Sequence, residues 1–331
     1  MARDENVYRE ALVQIAEIAA DLMSGAAGSE PSESSGAGGD ADMSVPGCAI
    51  KELPARLRQR SVENAVEINP VNAPPPSALG LFGGVPTPQS LTLLTSKYWG
   101  SRRRTLSVSF MESTPDDLRR RIVGHLNAWG TGVRFALTTG TGNVRISRGP
   151  GGYWSYLGTD VGLIPLNRPT MNLQGFTMNT SDREFHRVVR HEGGHTLGFP
   201  HEHMRRELVA RIDPEKAYEY FQRTQGWSRQ MVDQQVLTPL DQSSIFGTPA
   251  DQDSIMCYQL PGSITRDGQP IRGGLDINAT DASFARRVYP RFVFPWGADE
   301  EGSEVEELVG SASADDWDES EDVPSGVLEA V

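Results

Sequence analysis

Six histidines occur in the 331 residues, and four fall in one short stretch, His191-Glu192-Gly193-Gly194-His195-Thr196-Leu197-Gly198-Phe199-Pro200-His201-Glu202-His203. His191 and His195 are four apart, so on a helix both imidazoles project from one face and can share a metal ion. Glu192 stands beside them, where a carboxylate can work on a water held by that ion. Gly198, without a Cβ, can take a left-handed conformation, end the helix and turn the chain back, which brings His201 in as a third ligand. Three neutral imidazoles leave one position of a four-coordinate Zn2+ open to water, as in a catalytic site; a structural site is closed by a fourth protein ligand. Nothing in the spacing requires His203, which reads as a supporting or exposed group. His125 and His186 read as ordinary helix residues.

These side chains need a scaffold. The pattern predicts a helix from about Asp182 through Leu197 to carry the first two histidines. Thr105 to Phe110 alternates and predicts a strand. Ser113-Thr114-Pro115-Asp116-Asp117 is a helix start with Pro and acids in its first turn, running to about Trp129. Val133-Arg134-Phe135, Val144 to Ser147 and Tyr153 to Leu157 predict three further strands, separated by Gly-rich turns. Helical stretches follow near Asp213 to Thr224 and from Ala279 to Val288, the last ended by Tyr289-Pro290. Upstream, Ile50, Leu53, Leu57, Val62 and Val66 predict a short helix over 50–68, stopped by the extended Pro-rich run from Asn69 to Pro76. This order describes an α+β domain with its site helix packed under a sheet.

The extended motif resembles the signature of the metzincin metallopeptidases, HExxHxxGxxH followed by a Met-turn, and most closely the astacin-like branch, which continues with Glu after the third His, here Glu202. Asp253-Ser254-Ile255-Met256-Cys257-Tyr258 is similar to the astacin Ser-Ile-Met-His-Tyr turn. The resemblance implies one catalytic zinc on His191, His195 and His201, Met256 beneath it as an apolar base, and Tyr258 as a possible fifth ligand that swings away to hydrogen-bond the tetrahedral intermediate. It covers roughly residues 90 to 290. Trp99 to Phe110 resembles the family's first strand, Asp116 to Trp129 its backing helix, Gly132 to Phe135 the second strand, and Leu275 to Phe284 with Tyr289-Pro290 the closing helix. Tyr153 to Gly158 resembles the start of the edge-strand region, which implies a peptide or protein substrate bound in extended form by strand addition.

Two departures matter. Astacins carry structural disulfides in this domain, but here its sole cysteine is Cys257, so packing alone must hold it together. Astacin proenzymes present an Asp to zinc from a Phe-x-Gly-Asp segment, whereas this chain has Leu81-Phe82-Gly83-Gly84. Cys48 resembles the matrixin cysteine switch and is a candidate latency ligand; a free thiol or a bridge to Cys257 are the other readings.

The formal net charge of −13 is confined to the tail. Residues 298–331 hold 13 acids and no Lys or Arg, leaving 31 acids and 31 bases before them. The bases between positions 48 and 297 are scattered and form no long stripe, which argues against nucleic acid. No run of 18 apolar residues exists to span a membrane. Acids interrupt the first 23 residues, so no Sec signal peptide is visible, and a cytoplasmic address or leaderless export is expected. The chain then divides into an amphipathic helix (4–23) and flexible linker over 1–47, a prosegment-like or docking region over 48–89, a metzincin-like catalytic domain over 90–297 and a disordered acidic tail over 298–331, which is also a candidate to fold over the more basic catalytic region.

The expected function is a zinc-dependent endopeptidase that cleaves by a metal-activated water with Glu192 as general base. The alternatives are a narrow-specificity amide hydrolase and a zinc-bearing interaction protein with vestigial activity. Substrate preference and oligomeric state have no sequence signal.

Overall fold

Leu106 and Val108 alternate with Thr105, Ser107 and Ser109, and the strand they form, β2 (Arg104–Phe110), buries the two apolar side chains and leaves the others at the half-exposed face. The structure is a computed structural model and describes residues 48–73, 95–239 and 250–291. The expected helix over 4–23, the linker, the Leu81-Phe82-Gly83-Gly84 segment and the acidic tail lie outside the described residues.

β2 is the second strand from one edge of a six-stranded mixed sheet. The strands are β1 (Cys48–Ile50), β2, β3 (Val133–Leu137), β4 (Val144–Ser147), β5 (Tyr153–Ser155) and β6 (Met171–Leu173), in the spatial order β1-β5-β6-β4-β2-β3. Only β5 and β6 run antiparallel to one another; every other pair is parallel. The register sets Leu106 beside Phe135 and Val108 beside Val144, so one face is continuously apolar.

α2 (Asp116–Leu126) covers that face as the expected backing helix, with Asp116 and Asp117 in its first turn, where the helix dipole favours negative charge, while α1 (Arg58–Ile68) packs on the turn Gly158–Leu163. Leu118, Ile122 and Leu126, each four apart, are all buried against the sheet, and each contributes about 1.5–3 kcal/mol by leaving water. A tight turn over Asn127–Trp129 follows, closed by Gly130 in the left-handed conformation.

The segment expected to be one helix over 50–68 is instead a strand followed by a helix. Pro54 is extended, with φ −50° and ψ 147°, and proline biases the residue before it away from helix, so Ile50 and Leu53 fall outside and the helix begins only at Arg58. α1 is held to the body by buried polar bonds. The Ser61 hydroxyl donates to Asp160 Oδ1 at 2.7 Å and accepts from Lys97 Nζ at 2.5 Å, and Asn64 Nδ2 donates to the Thr159 carbonyl at 3.0 Å. Asn72 Nδ2 donates to the carbonyls of Ala65 and Tyr98, both at 2.8 Å, while its Oδ1 accepts from the Tyr98 N–H. Residues 48–73 therefore share one core with the rest of the domain, with Leu53 and Leu57 in the same apolar cluster as Leu106 and Ile146.

The expected strand over 153–157 is shorter, ending at Ser155, and it is not an outer strand: β1 pairs with it, setting Cys48 beside Tyr153 and Ile50 beside Ser155. At β3, the other margin, the Asn127 carboxamide bonds the main chain of Phe135, accepting from its N–H at 2.9 Å and donating to its carbonyl at 2.8 Å.

Candidate functional site

The helix carrying the first two histidines, α3 over 182–196, is built in three parts: Asp182–Glu184, a wide π turn at Phe185–Val189, and Arg190–Thr196. Ser181 caps it by accepting from the Glu184 N–H. Within Arg190–Thr196 the side chains of His191 and His195 share a face and their ring centroids lie 4.6 Å apart. Gly198 then takes φ +91°, a conformation in which a Cβ would stand 2.8 Å from the Lys97 carbonyl oxygen, so only glycine fits. The chain reverses there and brings His201 Nε2 to 3.0 Å from His195 Nε2. All three rings are buried.

Their hydrogen bonds define which nitrogens remain available. His191 Nδ1 meets the Ile255 carbonyl at 2.7 Å and His195 Nδ1 meets the Phe199 carbonyl at 2.8 Å. A carbonyl can only accept, so each Nδ1 carries the proton and each Nε2 keeps its lone pair. His191 Nε2 and His201 Nδ1 are buried with no hydrogen-bond partner among the described residues. Burial, countered in His191 by its carbonyl partner, lowers that ring's pKa to about 4, and burial followed by neighbouring imidazoles holds His195 and His201 well below the usual histidine value. One nitrogen from each ring lies within 4.8 Å of the others. Three neutral imidazoles with one nitrogen of each drawn together, and buried nitrogens without a partner among the described residues, fit a zinc ion, which imidazole suits far better than it suits calcium or magnesium.

Glu192 is fully buried, and burial pushes its carboxyl up to about 8. Its Oε2 accepts from the Ser155 hydroxyl at 2.9 Å, while Oε1 makes no hydrogen bond among the described residues. Cys48 Sγ, a His191 nitrogen and a Glu192 oxygen form a second close group, again within 4.8 Å. Cys48 and Cys257 are both free thiols, so no disulfide joins them. Burial, then the Glu192 carboxylate, holds the Cys48 thiol well above its ordinary value.

Met256 and Tyr258 come to the site on a turn fixed by the last described helix, Ala279–Val288. Asn278 and Asp281 form a reciprocal capping box at its start. Asp281 also accepts from the Ser254 hydroxyl at 2.5 Å and from the Ile255 N–H at 3.0 Å. The turn is closed from the other side where Glu202 N–H donates to the Met256 carbonyl at 2.8 Å. Met256 packs so closely under α3 that a Cβ on Gly194 would lie 2.4 Å from its sulfur. The Tyr258 ring lies 4.2 Å from the His201 ring, and its hydroxyl is buried with no partner among the described residues.

His203, which the spacing does not require, is fully buried; it stacks on Tyr258 at 4.4 Å and 11°, with Nε2 2.8 Å from the Gln235 carbonyl. His125 and His186 stand apart from the three, on the far side of α3 near Arg190 and Asp276. Three participants carry no sequence signal. Ser155 stands in Tyr153-Trp154-Ser155 with nothing to mark it, Asp281 reads as an ordinary helix residue, and Gln235 lies in an irregular segment, the π turn Asp233–Leu237.

No protein-family model and no curated protein matches the chain. Solved structures do. A structure of myroilysin matches with 30% identity and a TM-score of 0.55, over 60% of this chain and 97% of that one. A crystal structure of myroilysin matches with 31% identity and a TM-score of 0.46, over 59% and 87%. High choriolytic enzyme 1, a hatching enzyme zinc-protease from the medaka fish Oryzias latipes, is 21% identical with a TM-score of 0.38, over 55% and 87%.

Proposed function

The chain belongs to the astacin-like metzincins, and from that membership we propose that it is a zinc-dependent endopeptidase whose metal ligands are His191, His195 and His201. The observation that carries the reading is the convergence of three neutral, buried imidazoles with the Glu192 carboxylate beside them. A single zinc held there supplies, when bound, a Lewis acid that acidifies a water and polarises the scissile carbonyl.

The chain's own groups divide the remaining work. Glu192 takes the water's proton at its carboxylate and returns it to the leaving amine. Ser155 fixes one carboxylate oxygen and leaves Oε1 for that transfer. The Tyr258 hydroxyl, which has no partner among the described residues and lies beside His201, donates to the developing oxyanion. Met256 and Gly198 shape the site without touching the substrate. The peptide lies extended along β5.

That path is occupied by β1, and Cys48 stands against His191 and Glu192. We read this as the latent arrangement, in which residues 48–89 act as a prosegment to a catalytic domain over 90–297. Burial holds the Cys48 thiol neutral, and it would join the three histidines as a thiolate ligand were zinc bound beside it. Zinc analysis combined with mass-spectrometric mapping of casein fragments tests both proposals. Glu192→Ala retains zinc and loses cleavage; wild-type cleavage by that variant overturns the mechanism. Cys48→Ala raises basal activity; an unchanged rate overturns the switch.

A further inference from the structure

β1 is gripped from both sides. On one side it pairs with β5, and Lys51 N–H donates to the Ser155 carbonyl at 2.9 Å. On the other, where a further strand would lie, the Gln235 carboxamide takes that strand's place. Its Oε1 accepts from the Ile50 N–H at 3.3 Å and its Nε2 donates to the Ile50 carbonyl at 3.1 Å. These are the two main-chain groups of one residue, two positions beyond Cys48. Gln235 is 4% exposed and sits on the wide π turn, whose main chain is tied to the metal loop through His203. Its distance from the three histidines is therefore set by packing.

We propose that Gln235 is the outer main-chain clamp of the cleft, pairing with one residue of a substrate peptide opposite β5 as it now pairs with Ile50. The inference rests on the peptidase reading and names how that site holds its substrate. Both bonds are made to backbone, so side-chain identity at the clamped residue matters little. A carboxamide also carries a donor and an acceptor side by side, and turning it half a revolution about its last torsion exchanges them. The same residue can thus serve β1, which runs parallel to β5, and a peptide that runs the opposite way. Glutamate offers no donor and lysine no acceptor.

The test is a backbone scan in the full chain carrying Cys48→Ala, with and without Gln235→Leu. The probes are one cleaved peptide and a set of its analogues, each N-methylated at a single position. Among the positions at which methylation raises KM, one that faces away from β5 is expected to lose about tenfold through Gln235, the value of a well-made hydrogen bond, with kcat nearly unchanged. That penalty disappears in Gln235→Leu. Gln235→Glu, which keeps the acceptor and the shape, retains the penalty at that N–H, so the result does not depend on how well the leucine variant folds. Methylation penalties that are identical with and without Gln235 overturn the clamp while leaving the peptidase intact. Absence of cleavage of every peptide by zinc-loaded protein overturns both.

Discussion

The Ser155 hydroxyl donates to Glu192 Oε2 at 2.9 Å and lies 3.1 Å from the Glu192 main-chain carbonyl, tying β5 to the second residue of the metal motif. A hydrogen bond to a charged group is worth about 1.5–3 kcal/mol, or roughly tenfold to a hundredfold in rate if it is needed in the transition state. Ser155→Ala should lower kcat by at least about tenfold with KM and zinc content little changed. An unaltered kcat would mean that the carboxylate is oriented without β5.

Gly194 sits where a Cβ would meet Met256 Sδ at 2.4 Å and Trp129 Cζ2 at 2.7 Å, whereas a Cβ on Gly124 in α2 meets nothing within 4 Å. The two glycine-to-alanine changes should have opposite signs. Gly194→Ala overpacks the base of the site and should cost about 1–3 kcal/mol; Gly124→Ala should stabilise by about 0.5–1 kcal/mol through helix propensity. Urea unfolding midpoints decide, and equal shifts would remove the role given to the Met256 contact.

Chelation should lower the thermal midpoint, and zinc should restore it where magnesium and calcium do not. A ligand bound only by the folded state at about one hundred times its Kd adds about 2.7 kcal/mol. Superimposable melting curves with and without chelator would show that His191, His195 and His201 hold no ion.

His125 tests the electrostatics of the opposite face of α3. Burial, then the Arg190 guanidinium, lowers its pKa to about 4. The folded value lies below the ordinary 6.5, so between those values the unfolded chain binds a proton that the folded chain refuses. Stability from this group is complete above pH 6.5 and is lost as the pH falls toward 4. The ring is only partly buried, so solvent screening limits the loss to about 1 kcal/mol. His125→Gln should flatten the unfolding midpoint over that pH window, measured against wild type; parallel curves would count against it.

Much of the site is legible in the chain because its geometry is local. His191 and His195 are brought together by one helical turn and His201 by one glycine, so spacing alone predicts the cluster. β2 and α2 announce themselves through Leu106 and Val108 alternating and through Leu118, Ile122 and Leu126 recurring. β1 and β6 do not, since strands of three residues are too short to show a period. They exist because of partners far along the chain, Tyr153 for Cys48 and Ile146 for Met171. Pro54 carries a signal against a helix at Ile50, but five apolar residues at mixed spacing mask it. Ser155, Gln235 and Asp281 act through single side-chain bonds to distant backbone or carboxylate, and no pattern along the sequence encodes such a bond.

The two side-chain carboxamides that cap Phe135 and Ile50 have a kinetic corollary. With Asn127 on one margin of the sheet and Gln235 beyond the other, a peptide that pairs with β5 as proposed finds its berth already taken. Entry is a swap, and its pace is governed by how often the resident segment departs. At saturating peptide, product should therefore accumulate after a lag set by how often residues 48–50 depart, and raising the peptide further should leave that lag unchanged.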